Sequence, residues 1–415
     1  MESSRWHTFT SAGLVVLLLG SACASRIAGR RALCRDASVA SAAALIKHHH
    51  IAAPSRQSLA EGAIRGMTER LDAHSVYLDR KAHRAFVEDS AGRYAGIGIE
   101  LIPAHAALVI VRVIPDGPAA RAGLQPGDRI VAVGGQKLQA KSLDTILSRL
   151  RGKPGSWLRL SIDRPGRTDP LRVALQRAVV RLDPLTVHRL DADILLVQVR
   201  VFSEGVSRAL RYRLRRALHA HQRLQGLILD LRGNPGGLLH EAVHMADTFI
   251  DAGVLVSIRG PRRRAQGVAY ASRKRSLNFR GPVVVLIDGL TASAAEVVAA
   301  ALQEHRRARV VGTRSYGKGT VQELFSLPNG GALKLTIARY HTPLGHSLEG
   351  RGLHPDVPVV SASPESDQGT GTAEVKGSPQ ALAQPSDPRS DPVVQQALRL
   401  VRQQIRRWPA AASRQ

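Results

Sequence analysis

The sequence predicts an α/β fold, chiefly from two apolar segments and the helical patterns that follow them. Residues 226–232, GLILDLR, and 282–288, PVVVLID, are almost entirely apolar, which is typical of strands buried on both faces of a sheet. The segments 238–250 and 293–308 that follow them are amphipathic with helical spacing. Strands and helices that alternate in this order predict an α/β core. At 415 residues the chain is long enough for two or three domains.

The first 24 residues have the pattern of an export signal. A short apolar run, 12–20, ends in small residues that fit a cleavage site after Ala24. The run is too short to cross a membrane comfortably as a helix. Lipidation of Cys23 is the alternative, although Gly20 stands where a lipobox usually has an aliphatic residue. Cleavage leaves Cys34 as the only thiol, so we expect no internal disulfide and a periplasmic or cell-envelope location.

The remaining chain changes character several times. An Ala-rich stretch with helical periodicity comes first, then short strands punctuated by Gly and Pro, then the α/β segment, then a Ser- and Pro-rich stretch before a last helix. The predicted boundaries are 1–24 for the signal peptide, 25–92 for an N-terminal helical region, 93–177 for a domain of short strands, 178–360 for the α/β core, 361–390 for a flexible linker and 391–415 for a C-terminal helix.

The chain is strongly basic, with a formal net charge of +26 and 59 Lys and Arg against 33 Asp and Glu. Such a surplus attracts anionic partners, which include nucleic acid, acidic lipid and cell-wall polymer. The arginines, however, are distributed along the chain and are not clustered with interleaved aromatic residues. We therefore attribute the positive charge to a compositional bias that is spread over the solvated faces, and we predict no nucleic-acid partner.

A Gly-x-Gly turn opens the domain of short strands. In 94–101, YAGIGIEL, the turn can present several backbone N–H groups to a chain-terminal carboxylate, while the following strand edge pairs with the incoming peptide. Alone, this segment is more simply an ordinary glycine turn. Together with 117–135, GPAARAGLQPGDRIVAVGG, it resembles a PDZ domain of the type found in bacterial proteases.

The sequence HEAVH, from His240 to His244, matches the helical signature of zinc metalloproteases. Such a site usually needs a third protein ligand downstream. The next glutamate, Glu296, comes 52 positions after His244, and only Asp247 and Asp251 are formal candidates nearby. An amphipathic helix with histidines on its polar face is the preferred interpretation, so we expect no metal.

Each of the two apolar strands leads into a turn suited to chemistry. The turn at 230–237, DLRGNPGG, can aim N–H groups at an anion from a helix N-terminus. After the second strand, Ser293 begins a helix, and the amide of Ala294 would face any oxyanion that this serine creates. Ser293 and Glu296 also form a capping-box pattern, worth about 1 kcal/mol to the helix. Thr291 can serve as the cap equally well, which would leave Ser293 for chemistry.

The stretch 312–322, GTRSYGKGTVQ, places a lysine in a glycine turn. A phosphate-binding P-loop needs Ser or Thr after its lysine and then a helix. Here Gly319 follows Lys318, and TVQELFSL alternates as a strand. A surface lysine in a hairpin is one interpretation. A neutral lysine that serves as base to a serine, in a pocket that disfavours its charge, is the other.

Ser293, Lys318 and Gln322 stand 25 and then 4 positions apart, and the motifs around them occur in an order that resembles the carboxy-terminal processing proteases. The resemblance covers most of the mature chain. The motifs are LDAHSVYLDR at 71–80, the PDZ segment, LILDLRGNPGG at 227–237, TASAAE at 291–296, VVGTRSYGKGTVQ at 310–322 and YHTPLGHSLEGRGLHPDV at 340–357. The resemblance implies a ClpP/crotonase-like α/β serine-protease core with an inserted PDZ domain at 93–177 and a helical N-terminal segment.

The resemblance also implies roles for individual residues and needs no cofactor. Ser293 would attack the peptide carbonyl, Lys318 would be the general base, and Gln322 would orient the lysine. The oxyanion hole would be formed by backbone amides of Ala294 and of Gly236 or Gly237. The residues that match the family's turn for the substrate C-terminus are Ile97, Gly98 and Ile99.

The expected partners are unfolded proteins and proteins with exposed C-termini. The family often has serine where this chain has Thr291 and Ala295. The basic segment 259–280 is expected to be a solvated hairpin. A catalytically inactive PDZ scaffold, a zinc protease and, ranked last, a nucleic-acid binder are the competing hypotheses. An activating adaptor, a homo-oligomer and membrane association through the N-terminus are left open by the sequence.

Overall fold

The computed structural model describes residues 37–52, 54–104, 107–138, 146, 149–181, 183–191, 193–219, 224–262, 265–359 and 387–407. The predicted signal peptide, with Cys23, lies outside these residues, and so do Cys34 and most of the predicted linker. Among the described residues, no helix is both long enough and apolar enough to cross a membrane.

The described chain is a mixed α/β structure, as the sequence predicts. The strands are β1 (Val76–Leu78), β2 (Arg93–Gly96), β3 (Ile99–Ala104), β4 (Ala107–Val113), β5 (Arg129–Val133), β6 (Gln136–Lys137), β7 (Trp157–Asp163), β8 (Leu171–Gln176), β9 (Ala178–Arg181), β10 (Leu185–Arg189), β11 (Ile194–Val199), β12 (Gly226–Asp230), β13 (Val254–Arg259), β14 (Gly267–Tyr270), β15 (Val283–Ile287), β16 (Ala308–Gly312), β17 (Thr320–Ser326), β18 (Ala332–His341) and β19 (Val357–Pro358). The helices are α1 (Ala37–His49), α2 (Arg56–Thr68), α3 (Arg80–Ser90), α4 (Pro118–Arg121), α5 (Val206–His219), α6 (Leu239–Ala246), α7 (Ala294–Glu304) and α8 (Pro392–Arg407).

The chain divides into two compact units. The first contains the described residues up to Val87 together with 256–269 and 319–349, and the second contains 88–255, 270–318 and the described residues from Gly350 onward. Both predicted apolar strands belong to the second unit, as do Ser293 and Lys318.

The second unit is built on a six-stranded sheet with the order β10-β11-β12-β15-β16-β19. β10 is antiparallel to β11, and the other neighbours are parallel. Every residue of β12 and β15 is buried, which explains their continuous apolar sequences. α8 covers one face, where Val394, Leu398 and Val401 pack with the sheet residues Ile228 and Val284.

α7 is buried from Ala294 to Leu302, so a helix of small and β-branched residues is enclosed on all sides. α6 packs against it. Because β12 and β15 are parallel neighbours, their carboxyl ends meet at one edge of the sheet, and the turns leading into α6 and α7 begin there.

The domain of short strands belongs to the same unit. Its antiparallel sheet has the order β3-β4-β5-β7-β8, and β6 pairs with β5. Its core includes the fully buried Ile110, Ile130 and Ile162. β2 pairs with β9, so the two ends of this segment run side by side where it joins the core. That arrangement is typical of an inserted domain.

In the first unit, β18 pairs antiparallel with β1, β13 and β17. β17 confirms that a strand follows Lys318, and this excludes the P-loop interpretation. The basic segment 259–280 includes β14, which lies next to β13 in the sheet, in agreement with the expected hairpin.

Two elements differ from the sequence interpretation. β1 interrupts the predicted helical region because the buried Tyr77 pairs with Leu333, and the Tyr77 hydroxyl accepts a hydrogen bond from Asn329 Nδ2 at 2.8 Å. At the other end of the chain, Pro388–Ser390 form a 3-10 helix within the predicted linker, because the Asp387 carboxylate accepts the Arg389 N–H at 2.9 Å.

Candidate active site

Ser293 occupies the turn between β15 and α7 in a strained backbone conformation. Its φ of 57° and ψ of −119° lie in a region that residues other than glycine rarely adopt, at a cost of about 1–3 kcal/mol. Its side chain lies in a largely buried setting, since the residue is 8% exposed. Strain of this kind persists only where surrounding contacts fix it, and it often marks a functional position.

The structure corrects the expectation that Thr291 can cap α7. Ser293 is the N-cap residue. The Thr291 hydroxyl donates to the Leu231 carbonyl at 2.9 Å and accepts the N–H of Asp288 at 2.9 Å. The Thr291 side chain points back toward the sheet, and its hydroxyl links the ends of β12 and β15 through these two hydrogen bonds.

Glu296 is the carboxylate of the capping-box pattern, and it does more than cap the helix. It is 0% exposed, and its Oε2 accepts the backbone N–H of Ser293 and the backbone N–H of Lys318, each at 2.8 Å. Its Oε1 accepts the N–H of Gly317 at 2.8 Å and the hydroxyl of Ser315 at 2.5 Å. One buried side chain therefore holds the serine turn and the lysine loop together.

Further contacts fix the loop that carries Lys318. The N–H of Tyr316 donates to the Thr291 carbonyl at 2.9 Å. The N–H of Ser315 donates to the Leu353 carbonyl at 3.0 Å, and the N–H of Leu353 donates to the Ser315 hydroxyl at 2.6 Å. Lys318 itself is half-buried. The loop is therefore held from the serine turn on one side and from the segment around Leu353 on the other.

Three residues were predicted to carry the chemistry: Ser293, Lys318 and Gln322. In the structure, the backbones of Ser293 and Lys318 are linked through a shared hydrogen-bond acceptor. Ser293 and Lys318 donate N–H groups to the same oxygen of Glu296. Gln322 lies on β17, in the other compact unit, and its side-chain amide donates to Thr320 Oγ1 at 2.8 Å. The predicted role of Gln322 stays a prediction.

Gly236, in the turn at 230–237, lies close to Ser293. A Cβ atom built on Gly236 would be 2.9 Å from Ser293 Cβ and 3.0 Å from the Ala294 nitrogen, so only glycine fits there without a shift. Gly236 and Gly237 both have positive φ, 100° and 138°. A Cβ atom on Gly237 would collide with the carbonyl of Phe202. The sequence therefore needs glycine at both positions.

Of the two glycine amides that are candidates for an oxyanion hole, Gly236 and Gly237, the amide of Gly236 already donates a hydrogen bond within the turn. The N–H of Gly236 donates to the side-chain oxygen of Asn234 at 2.8 Å, and Asn234 Nδ2 donates to the Val199 carbonyl at 2.8 Å. This favours Gly237 over Gly236 as the partner of Ala294. Asn234 is 0% exposed, and its role in shaping the turn was missed from the sequence, where it looks like a common turn residue.

Ion pairs anchor the start of the same turn. Arg232 lies 2.8 Å from Asp230 and 2.8 Å from Asp391, at the start of α8. Although burial disfavours its charge, the two carboxylates hold the pKa of Arg232 above its ordinary value. The turn is therefore attached both to β12 and to the helix that covers the sheet.

The residues predicted to hold a substrate C-terminus form the turn into β3. Ile97 and Gly98 are buried, Gly98 has a φ of 80°, and Ile99 begins the strand. The Ile97 carbonyl accepts the Ala119 N–H at 2.8 Å, and the Gly98 carbonyl accepts the Ile114 N–H at 2.9 Å. Because both carbonyls are bonded within the domain, the turn has a fixed shape.

The HEAVH sequence lies on α6, but its glutamate has a structural partner. Glu241 is 5% exposed and accepts the N–H of Gly205 at 2.7 Å and the N–H and hydroxyl of Ser207 at 2.9 and 2.5 Å, at the start of α5. The rings of His240 and His244 are 6.1 Å apart, and burial lowers the pKa of His244. Within the described chain, no group of three His, Cys, Asp or Glu residues is arranged to hold a metal ion.

Comparison with known proteins gives two family matches. The sequence profile of peptidase family S41 matches residues 193–359, and a PDZ domain profile matches residues 109–164. The first match covers five of the six strands of the sheet that carries both site turns, all except β10, and the second covers most of the antiparallel sheet of short strands.

Individual relatives match over most of the chain. The carboxy-terminal-processing protease of Bartonella bacilliformis is 34% identical over 377 residues, which is 87% of this chain and 86% of that protein. The carboxy-terminal processing protease CtpA of Bacillus subtilis is 32% identical over 302 residues, 72% of this chain and 63% of its own length. Among solved structures, the photosystem II D1 C-terminal processing protease aligns with a TM-score of 0.50 and 29% identity, covering 74% of this chain and 83% of that one.

Proposed function

The chain belongs to the carboxy-terminal processing proteases of peptidase family S41, and from this membership we propose that it is an exported serine endopeptidase that uses Ser293 as nucleophile and Lys318 as general base. The family and the presence of a PDZ domain confirm the resemblance seen in the sequence. What supports the two catalytic roles is the shared carboxylate of Glu296, which holds a strained serine turn against the lysine loop.

In the proposed reaction, Ser293 Oγ bonds to the carbonyl carbon of the scissile peptide while its proton passes to Lys318 Nζ. The carbonyl π electrons move to the oxygen, which becomes an oxyanion. When this intermediate collapses, the C–N bond breaks and the leaving amine takes the proton from the lysine. Water then attacks the acyl-enzyme with the lysine again as base, which releases the new C-terminus and restores the serine.

The oxyanion would be stabilised by backbone N–H groups at the two turns. Ala294 is the first residue of α7, so its amide benefits from the positive end of the helix dipole. Gly237 supplies the second donor, because the Gly236 amide is bonded to Asn234. A single donor of this type typically contributes about 10²–10³ in rate.

The substrates would be unfolded proteins and proteins with exposed C-termini. The PDZ domain would hold the terminal carboxylate at the turn of Ile97, Gly98 and Ile99, and the chain of the substrate would extend toward Ser293. The leader at residues 1–24 supports export to the cell envelope.

The test is degradation of an unfolded protein by the chain without residues 1–24, with EDTA present, in the wild type and in Ser293→Ala. We expect the variant to lose about 10⁶-fold in activity, by analogy with other serine nucleophiles. Its stability should change by about 1 kcal/mol at most, since only a capping hydroxyl is lost. Lys318→Ala should abolish activity in the same way.

A folded Ser293→Ala protein that keeps its activity would contradict the mechanism. Activity of the wild type that EDTA abolishes would instead support a metal-dependent reaction. A wild type that binds C-terminal peptides but does not cleave them, with or without EDTA, would favour a PDZ scaffold.

A further inference from the structure

A cavity with a volume of about 490 Å³ lies at the amino ends of β15 and β16. This volume is within the range of about 300–1,000 Å³ that is usual for small-molecule sites. Phe279, Val283 and Ala308 line it and are buried, so part of its wall is apolar. The other side chains that line it are mainly arginines, and several of these are exposed at its opening.

The cavity is separate from the candidate active site. Ser293 follows the carboxyl end of β15, whereas the cavity includes Val283, the first residue of that strand. The two places are therefore separated by the length of a five-residue strand, roughly 15 Å. A ligand in the cavity would not occupy the place of a peptide substrate.

Positive charge in the cavity exceeds the negative charge around it. The arginines that line it are Arg280, Arg306, Arg307, Arg309 and Arg407. Asp356 is the carboxylate among the described lining residues; it lies 3.8 Å from Arg309 and accepts the Val310 N–H at 2.7 Å. Arg280 pairs with Asp251 at 2.9 Å. The carboxyl ends of α7 and α8 add about half a negative charge each, so a surplus of about two positive charges is left.

Arg307 forms the inner part of this charged wall. It donates to the carbonyls of Phe279 and Gly281 at 2.7 and 3.1 Å, and its guanidinium lies 5.7 Å from the centre of the Phe279 ring. Burial, together with the charge of Arg280, lowers the pKa of Arg307 to about 10. The group therefore stays charged at neutral pH in surroundings that disfavour its charge, and a bound anion would offset that cost.

We propose that this cavity binds a phosphate ester, with the doubly charged phosphate among the arginines and the organic part against Phe279 and its apolar neighbours. The planar guanidinium fork matches the oxygens of a phosphate, and a surplus of about two charges matches a phosphate dianion. Arg306, two residues after α7, and Arg407, in the last turn of α8, line the cavity from two different elements and are placed to contact the ligand. Soluble phosphomonoesters and the headgroups of phosphatidic acid share this chemistry.

The test is binding to the full chain in the Ser293→Ala form, at about 150 mM salt, so that proteolysis plays no part. Glycerol 3-phosphate and inorganic phosphate are the soluble probes, measured by calorimetry. Vesicles of phosphatidylcholine with and without phosphatidic acid are the lipid probes, measured by co-sedimentation. We expect Arg306→Gln with Arg407→Gln to weaken binding at least about tenfold, since two charge-assisted contacts are removed.

The matched control removes two exposed arginines of α5, Arg208→Gln with Arg215→Gln, and so lowers the net charge equally. We expect this control to keep the wild-type affinity within about twofold. Binding to either class of probe that only the cavity variant weakens supports the proposal and identifies the source of the phosphate. Equal weakening by both variants would show unspecific attraction and overturn it, as would a wild type that binds none of the probes.

Discussion

Glu296 is a buried carboxylate, and each of its two oxygens accepts two hydrogen bonds. Two of the four donors are the backbone N–H groups of Ser293 and Lys318. The capping-box spacing made its helix-capping role visible in the sequence. Its second role was hidden, because Lys318 lies 22 positions further on, after another strand. Capping and chemistry appeared as rival interpretations of Ser293, yet in the structure the Glu296 side chain both caps α7 and accepts the backbone N–H of Lys318.

We predict that Glu296→Gln lowers kcat about 100-fold with little change in KM. An amide keeps one acceptor oxygen, so two of the four donors lose their acceptor: either the N–H groups of Ser293 and Lys318, or the N–H of Gly317 and the hydroxyl of Ser315. Either loss weakens the link between the serine turn and the lysine loop and costs about 1–3 kcal/mol in stability. The serine turn and the lysine loop are then free to separate, and a displacement of about 1 Å at a reacting group costs about 10²-fold. Steady-state kinetics together with a thermal melt would measure both effects.

Glu241→Gln is the matched control for this prediction. Glu241 is also a buried helix carboxylate that accepts three hydrogen bonds, but its donors are Gly205 and Ser207, at the start of α5. We expect a similar loss of stability and a nearly unchanged kcat per folded molecule. Equal loss of kcat in both variants would mean that Glu296 acts only through global stability.

At the scale of single elements, the strands and helices that the sequence predicted are those whose patterns are local. The strands of 226–232 and 282–288, the strand after Lys318 and the last helix were all predicted from periodicity. The β1 strand was missed, since three residues are too few for a pattern and its pairing with β18 is non-local. The HEAVH segment shows the same limit: the sequence gives its helical spacing, whereas the partner of Glu241 lies 34 positions upstream at Ser207.

The turn into β3 leads to a prediction about how the PDZ domain recognises a substrate C-terminus. If its N–H groups hold a terminal carboxylate, a peptide with a free C-terminus should bind the Ser293→Ala protein at least about tenfold more tightly than the same peptide with a C-terminal amide. Gly98→Ala should remove most of this difference, because alanine at a φ of 80° is strained by about 1–2 kcal/mol and the turn shifts. Fluorescence anisotropy with labelled peptides would measure it.

The control for Gly98 is Gly123→Ala in the same domain. Gly123 has a φ of 73°, and a Cβ atom there would meet no atom within 4 Å, so the backbone strain is similar but lies away from the turn. We expect this variant to keep the preference for a free carboxylate. A wild type that binds the amide as tightly as the acid would contradict the assigned role of the turn.

At the scale of the whole molecule, the family and its fold could be predicted from the sequence because several long motifs occur in a fixed order. The sequence can indicate which motifs lie close together in space only where a rule of topology applies. Here the rule is that parallel neighbouring strands bring the turns after β12 and β15 to one edge of the sheet. The cavity at the opposite edge had no such signal. Its arginines come from three separate segments, and in a chain this basic they do not stand out.

The net charge of +26 leads to a prediction about the molecule as a whole. A long-range field speeds the encounter with acidic polypeptides, and the Debye length falls from about 30 Å at 0.01 M salt to about 10 Å at 0.1 M. We therefore expect kcat/KM for an acidic unfolded substrate to fall about tenfold between about 20 and 300 mM NaCl, while kcat stays constant. A substrate of equal length and no net charge should show little change. If both substrates lose kcat/KM equally, salt acts on the enzyme's stability or chemistry, and the charge is a compositional bias without effect on substrate capture.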